Sequence, residues 1–440
     1  MTRTFSRLDG FRSRAWKARS VWAGFALVLL FAPWVFSSSL SISILSQMGI
    51  AIVVCLSYNM LLGQGGMLSF GHAVYSGFGS FLAIHALNLA SAQVLPIPVS
   101  LIPVVGGIAG LAVAVLLGYV STKKAGTTFA MITLGVGELA FALALMVPEY
   151  FGGEGGISGD RVVGEPFLGI TYGPPLQVYY LIAAYTFVCV AAMYAFTLTP
   201  LGRMLNAVRD NPERVEFVGY DTRRVRYMAF MAAGFFAGIA GGLAALHFEI
   251  VTSEVLSTTR SGGYLLFTFL GGTTFFFGPI IGAVLMVLAT VLFSGLTKAW
   301  LLYLGLIFIF MVIYAPGGIA SLAVMNLRVA ASGRLPELLP RYLLLGASAC
   351  VMAAGASLVI EMIYHLQLDG VGGELRFLGQ EWDTREPWHW VVGAAAFLLG
   401  AGLFEASRRS FARRWALIQD ALASSESSSS VAAGYQERQR

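Results

Sequence analysis

Lysine is nearly missing from these 440 residues. Lys17, Lys123, Lys124 and Lys298 are the full set, and none follows a glycine. A phosphate-cradling G-x-x-x-x-G-K-[ST] loop is therefore absent, so any ATP hydrolysis has to come from another polypeptide. Charge as a whole is scarce. Charged side chains make up 12% of the chain, about half the ~25% usual in soluble domains, which excludes a soluble protein. The three cysteines, Cys55, Cys189 and Cys350, lie inside apolar runs and offer neither a disulfide framework nor metal-ligand spacing, so they read as small core residues. No nucleophile–base–orienter set is present, and an enzyme reading has nothing to rest on. The net charge of +5 is spread over loops beside apolar segments, which argues against a nucleic-acid partner.

What remains is apolar. Hydrophobic residues account for 57% and the mean hydropathy is +0.75. About 20 apolar residues cross a bilayer roughly 30 Å thick. Candidate spans are 21–37, 40–62, 67–90, 98–120, 127–147, 177–198 and 227–247, then a broken region 263–296 holding two spans, then 299–315. The first run leads straight into the second through Phe36-Ser37-Ser38-Ser39-Leu40, so it reads as a span and not as a cleavable signal. Two further runs, 342–360 and 389–404, come late. The expected architecture is an all-α polytopic membrane protein with about ten core spans and a C-terminal two-helix hairpin. Its parts are a basic tail (1–20), a core (21–325), a linker (326–341), the hairpin (342–405) and a disordered polar tail (406–440).

Loop charges orient the chain, because lysine and arginine favour the cytoplasm. Arg3, Arg7, Arg12, Arg14, Lys17 and Arg19 face only Asp9, which puts the N-terminus inside. Lys123 and Lys124 fall inside by parity, and the Arg203–Arg226 loop does too. The 148–176 loop, with Glu149, Glu154, Asp160 and Glu165 against Arg161, is outside. Arg328, Arg334 and Arg341 are inside, with Lys298 a lone exception outside. The acidic 361–388 loop, with Glu361, Asp369, Glu374, Glu381, Asp383 and Glu386, is outside, and Arg408, Arg409, Arg413 and Arg414 end inside.

One strongly polar stretch, 199–219, stands between the apolar runs. Asp210 or Asn211 can cap a helix there, Pro212 suits its first position, Glu213 complements its dipole, and Gly219 suits its end. Arg203, Arg209 and Glu216 complete its charged set. Two glycine-broken segments stand in similar places in the two halves: Gly63 to Ala73, and Gly271 to Ala283. Irregular backbone at membrane depth is tolerated only where protein or a water-lined cavity satisfies it. Such a pair marks either a translocation path between repeats or close packing through small residues.

The run Gly63-Gln64-Gly65-Gly66-Met67-Leu68-Ser69-Phe70-Gly71-His72-Ala73 resembles a segment of the permeases of high-affinity branched-chain amino-acid ABC importers. So do Thr128 to Glu138, the Gly152-Gly153-Glu154-Gly155-Gly156-Ile157 loop, Leu270 to Ala283, and Ala315-Pro316-Gly317-Gly318-Ile319. The Glu213-x5-Gly219 spacing resembles the "EAA" loop by which such permeases dock onto a separate ATPase, although Arg214 and Val215 replace its two alanines. Thr274 and Phe275 replace a Gly-Ser pair in the second broken segment.

The resemblance implies uptake of a small amino-acid-like solute, branched-chain amino acids first, with urea, amides and small aromatic acids as alternatives. It implies two cytoplasmic ATP-binding subunits that use the ATP, a second homologous permease subunit, and an extracytoplasmic solute-binding protein. No cofactor is expected on this chain, which would sit in the inner membrane with both termini cytoplasmic. Coupling is expected through Arg203, Arg209, Asp210, Asn211, Pro212, Glu213, Glu216 and Gly219. The expected path residues are Gly66, Ser69, His72, Thr133, Glu138, Gly271, Gly272 and Thr273. Each has a plainer reading. His72 lines a path or caps the break, Ser69 and Thr133 bond a solute or a neighbouring backbone, and Glu138 is a mid-span functional acid or a helix–helix contact. The alternative function is a stand-alone secondary transporter or channel using Glu138. A third is a signalling or assembly subunit whose late spans carry the function; the hairpin is otherwise expected to be peripheral to the transport core.

Overall fold

The computed structural model describes residues 20–162, 170–297, 299–333, 335–368, 374–377, 380–384 and 386–438. The basic tail to Arg19, and Glu165, Lys298, Arg334, Asp369 and Arg385, lie outside the described residues. The first helices are α1 (Ser20–Val35), α2 (Ser39–Gly65), α3 (His72–Ser91), α4 (Ile102–Ser121), α5 (Gly126–Met146) and the single turn α6 (Pro148–Phe151). Then come α7 (Pro175–Leu198), α8 (Pro200–Asp210), α9 (Pro212–Phe217), α10 (Thr222–Phe248), α11 (Thr258–Gly271) and α12 (Gly278–Leu288). The last are α13 (Ser294–Leu296), α14 (Trp300–Tyr314), α15 (Gly318–Ala331), α16 (Leu335–Leu368) and α17 (Pro387–Arg438). Among the described residues, 8 helices are long and apolar enough to cross a membrane, or 9 if α14 and α15, bent by 48°, make one span. The broken region resolves into two short pieces. α11 is followed by a break at 272–277 and then by α12, which runs on through a π turn to Phe293.

The chain forms two compact units, the first made of residues up to 296 together with 304–321. Its centre is α2, α3, α4 and α10. Helices in lipid gain little from hydrophobic exclusion, so close van der Waals approach has to hold them. Glycine provides it between α4 and α10: a Cβ on Gly238 would collide with the Gly106 carbonyl and come within 2.9 Å of Gly110 Cα. Buried aromatic rings fill the rest, with Tyr75 edge-on to Phe230 at 5.1 Å and Phe129 edge-on to Phe230 at 5.9 Å. α1 lies on α7 through Trp22, Phe25, Phe187 and Tyr194, and Tyr179 donates to the Leu29 carbonyl at 2.6 Å.

At the end away from the 199–219 stretch, β1 (Ile157–Ser158) pairs antiparallel with β2 (Ile250–Val251). Arg161 pins this corner. It pairs with Glu249 at 3.3 Å and donates to the Tyr172 carbonyl at 2.7 Å.

The second unit is residues 297–303 and 322–440. α16 and α17 form the expected hairpin, joined through the antiparallel pair β3 (Glu374–Phe377) and β4 (Gln380–Asp383). Four expectations are corrected here. The 326–341 linker is mostly helix, because α15 runs to Ala331 and α16 begins at Leu335. Glu361 lies inside α16 and not in a loop, accepting from Tyr303 at 3.0 Å and from Thr297. Cys350 is exposed, not a core residue. Finally, the 406–440 tail is helical to Arg438, since no proline follows Pro387 and alanine, leucine, arginine and glutamine favour the helix.

Candidate functional site

α2 ends in a left-handed glycine cap of the αL type. Gly66 takes the left-handed conformation (φ 62°), its N–H reaches the Leu62 carbonyl at 3.0 Å, and the Met67 N–H reaches Leu61 at 2.9 Å. The chain then doubles back along α2. Tyr58 donates to the Ser69 carbonyl at 2.8 Å, and Ser57 bonds His72 Nε2 at 2.9 Å. Ser57 stands eight residues before Gly65, so α3 starts about 12 Å inside the end of α2 at 1.5 Å per residue.

That inset exposes backbone polar groups to an apolar interior, where each unmade hydrogen bond costs about 1–3 kcal/mol. Other helices meet the demand. Thr133 of α5 accepts from the Phe70 N–H at 3.1 Å, and Ser261 of α11 accepts from the Ala73 N–H at 2.9 Å. Gly71 sits so close to α5 that a Cβ would overlap the Thr133 carbonyl. Ser69, His72 and Thr133 are all fully buried. Among the described residues, the hydroxyl of Ser69, Nδ1 of His72 and the hydroxyl of Tyr75 have no hydrogen-bond partner, leaving unsatisfied polar atoms beside the break.

Glu138 lies one turn and a residue past Thr133, but on the exposed side of α5, accepting from Thr258 at 2.6 Å. It is not part of the buried cluster. The second break lies beside the first: a Cβ on Gly63 would strike the Thr273 carbonyl, and Thr268 donates to the Cys55 carbonyl at 3.4 Å. Gly271 and Gly272 are buried, Thr273 is half-buried, and Gly272 packs on the Gly317 carbonyl at 2.6 Å from its Cβ position.

The polar stretch folds as two short helices. Thr199 caps α8 by accepting from Gly202 at 3.2 Å, and Asn211 caps α9 by accepting from Arg214 at 3.0 Å, with Pro200 and Pro212 in the first turns. Asp210 therefore ends α8 and does not cap α9. Leu205, Val208 and Val215 face the core, whereas Phe217 (89% exposed), Val218 (74%) and Tyr220 (51%) stand out from it. Arg203 and Glu213 are exposed, and Glu216 accepts from Thr222 at 2.7 Å. Gly219, with φ 95°, turns the chain into α10. Arg209 bonds Asp210 at 2.8 Å and also donates to the Gly63 carbonyl. That carbonyl is one of those the end of α2 leaves without a helical donor. Arg209 thus ties the surface helices to the broken segment.

Sequence reasoning named Arg209 but not its partner, and missed Ser57, Tyr58, Thr258 and Ser261. The first two sit in an unbroken apolar run and give no signal. Thr258 and Ser261 share an i, i+3 polar face at the start of α11, a spacing that could have suggested an inward-facing side. Among the described residues no three His, Cys, Asp or Glu side chains converge as a metal site would require.

Fold and site together define a multi-pass helical membrane protein with a polar, glycine-broken interior joined to a surface helix pair. The family model described as "Branched-chain amino acid transport system / permease component" matches residues 40–315, and the chain belongs to that family. It is 28% identical over 319 residues to the high-affinity branched-chain amino acid transport system permease protein LivM of Escherichia coli, covering 67% of this chain and 73% of the relative. The LivM protein of Salmonella typhimurium is 27% identical over the same coverage. No solved structure matches.

Proposed function

We propose that this chain is the membrane-spanning permease subunit of an ATP-driven importer for branched-chain amino acids or a similar small solute. In this reading it sits in the inner membrane with both termini cytoplasmic. It works with two ATP-binding subunits, a second permease subunit and an extracytoplasmic binding protein, and the C-terminal hairpin is accessory. The observation that carries the proposal is the Arg209–Gly63 contact. Phe217, Val218 and Tyr220 offer an apolar face to an ATPase, which would otherwise be a poor use of exposed surface. Force on α8 and α9 passes through Arg209 to the end of α2, and from Gly63 to the adjoining Thr273 backbone, so both breaks respond together. The buried Ser69, His72 and Thr133 correspond to a closed state of the path, which alternates its opening as the ATPases cycle.

Reconstitution in liposomes tests this. Uptake is expected only with the second permease subunit, ATPase subunits, binding protein and ATP together. Gradient-driven transport by this chain alone would overturn the reading in favour of a secondary transporter or channel. Glu213→Lys, which reverses a charge at the first turn of α9, is expected to weaken ATPase association while thermal stability changes by less than about 1 kcal/mol; unimpaired association in a pull-down counts against the coupling role. A cysteine placed at Arg214 is expected to resist membrane-impermeant reagent applied outside intact cells, and labelling from outside would reverse the orientation.

A further inference from the structure

The first turns of α16 and the middle of α17 flank an open cleft of about 530 Å³ on the second unit. α17 lines it with Ala406, Arg409, Ser410, Arg413, Arg414 and Leu417, residues whose i, i+3, i+4, i+7 spacing puts them on one helix face. α16 contributes Arg341 from the opposite wall. The platform behind it is a packed apolar cluster. Val329 and Leu338 are buried against Tyr342, Phe411 and Trp415, with Phe411 stacked on Trp415 at 5.6 Å and Tyr342 against Phe411 at 4.8 Å.

The nearby acids pair with only two of these four arginines. Glu405 is held by Arg408 at 2.7 Å and Arg409 at 2.9 Å, and Glu337 pairs with Arg414. Arg413 has no carboxylate partner among the described residues, and Arg341 gives one N–H to the Glu337 carbonyl at 3.0 Å, leaving the rest of its fork free of any described partner. Arg414 Nε is buried without an acceptor among the described residues. A cluster of planar guanidinium forks with spare donors, set beside a small apolar lining, matches the bidentate oxygens of a phosphate group.

We infer that this cleft binds a phosphate-bearing anion, as carried by an anionic lipid headgroup or by free phosphate. Basic pockets between membrane helices hold lipid headgroups in this way. The inference is independent of the transport reading.

The test uses the full-length chain in detergent and native mass spectrometry with short-chain phosphatidylglycerol or phosphatidylcholine. Phosphatidylglycerol is expected to be retained about tenfold more strongly, and Arg341→Gln with Arg413→Gln is expected to bring it down to the phosphatidylcholine level. Arg341→Lys with Arg413→Lys, which keeps the charges but not the forks, should fall between, and this variant carries the test if the glutamine pair does not fold. Arg223→Gln with Arg224→Gln removes a basic pair from the first unit and should change nothing. Displacement of the lipid by inorganic phosphate identifies the free anion as a sufficient ligand; retention in its presence identifies the lipid. Equal retention of the two lipids, or equal loss in the Arg223 and Arg224 variant, overturns the inference.

Discussion

Where α2 gives way to α3, side chains, most of them from other helices, hold the backbone; where α11 gives way to α12, the backbone holds itself. In the first break Tyr58, Thr133 and Ser261 bond Ser69, Phe70 and Ala73, and Arg209 bonds the Gly63 carbonyl. In the second, the Gly272 N–H returns to Thr268 at 3.1 Å, Gly278 to Phe275 at 3.0 Å and Ile280 to Phe277 at 3.2 Å. The consequence is a difference in what each break demands of its sequence. The first needs particular hydroxyls at distant positions, and the second needs glycine backbones but is indifferent to most side chains. This accounts for Thr274 and Phe275 standing where relatives of this type are expected to carry Gly-Ser.

The sharpest test of the first break is Gly71→Val. The added side chain has nowhere to go but into the Thr133 carbonyl, and backbone cannot swing aside as a side-chain tip can. The expected loss is about 3 kcal/mol, the upper end for overpacking, read as a lowered melting temperature and poor monodispersity in detergent. A stable, monodisperse variant would mean that α3 and α5 are not packed as described.

Arg209→Ala separates coupling from folding. A cation at a helix C-terminus is worth about 0.3–1 kcal/mol at an exposed site, so the melting temperature should barely move. ATP-dependent uptake is nevertheless expected to fall about tenfold, the effect of losing roughly 1.4 kcal/mol of linkage between loop and break. Unchanged uptake would leave the Gly63 contact as a cap with no part in transport.

Thr133→Val removes a buried acceptor while keeping shape, stranding the Phe70 N–H. The expected destabilisation is about 1–3 kcal/mol, measured by chemical or thermal unfolding in detergent. A neutral outcome would erase the contrast between side-chain-satisfied and self-satisfied breaks.

Much of this was readable in the chain. Apolar runs located the core spans, and Asn211, Pro212 and Gly219 announced one capped helix, which the structure places at Pro212–Phe217; the preceding helix α8, capped by Thr199, was not read. Glycine clusters announced both breaks. Depth was not readable: nothing in the order of residues says that Gly66 to Gly71 runs back beside α2, because that depends on hydroxyls contributed from Thr133 and Ser261, far away in sequence. Glu138 shows the same limit. Its charge within an apolar run drew attention, yet helix phase turns it away from Thr133 and onto the surface with Thr258. In the second unit, turn and linker composition misled because α15 and α16 need only the short interruption around Gly333.

The smallest effect should come from Thr274→Ala. Thr274 is exposed, and the turn it occupies is closed on either side by the Gly272 and Gly278 amides, neither of which uses its hydroxyl. Alanine at a surface position away from caps and cores shifts stability by no more than about 0.5 kcal/mol, so the melting curve should overlay that of the unchanged protein. Compared with Thr133→Val in the same detergent, this gives the contrast a number: two threonines, each beside a glycine break, one costly to change and one not. A Thr274 variant as unstable as the Thr133 variant would mean that the second break also depends on a side chain, and that its backbone turns do not suffice to hold it.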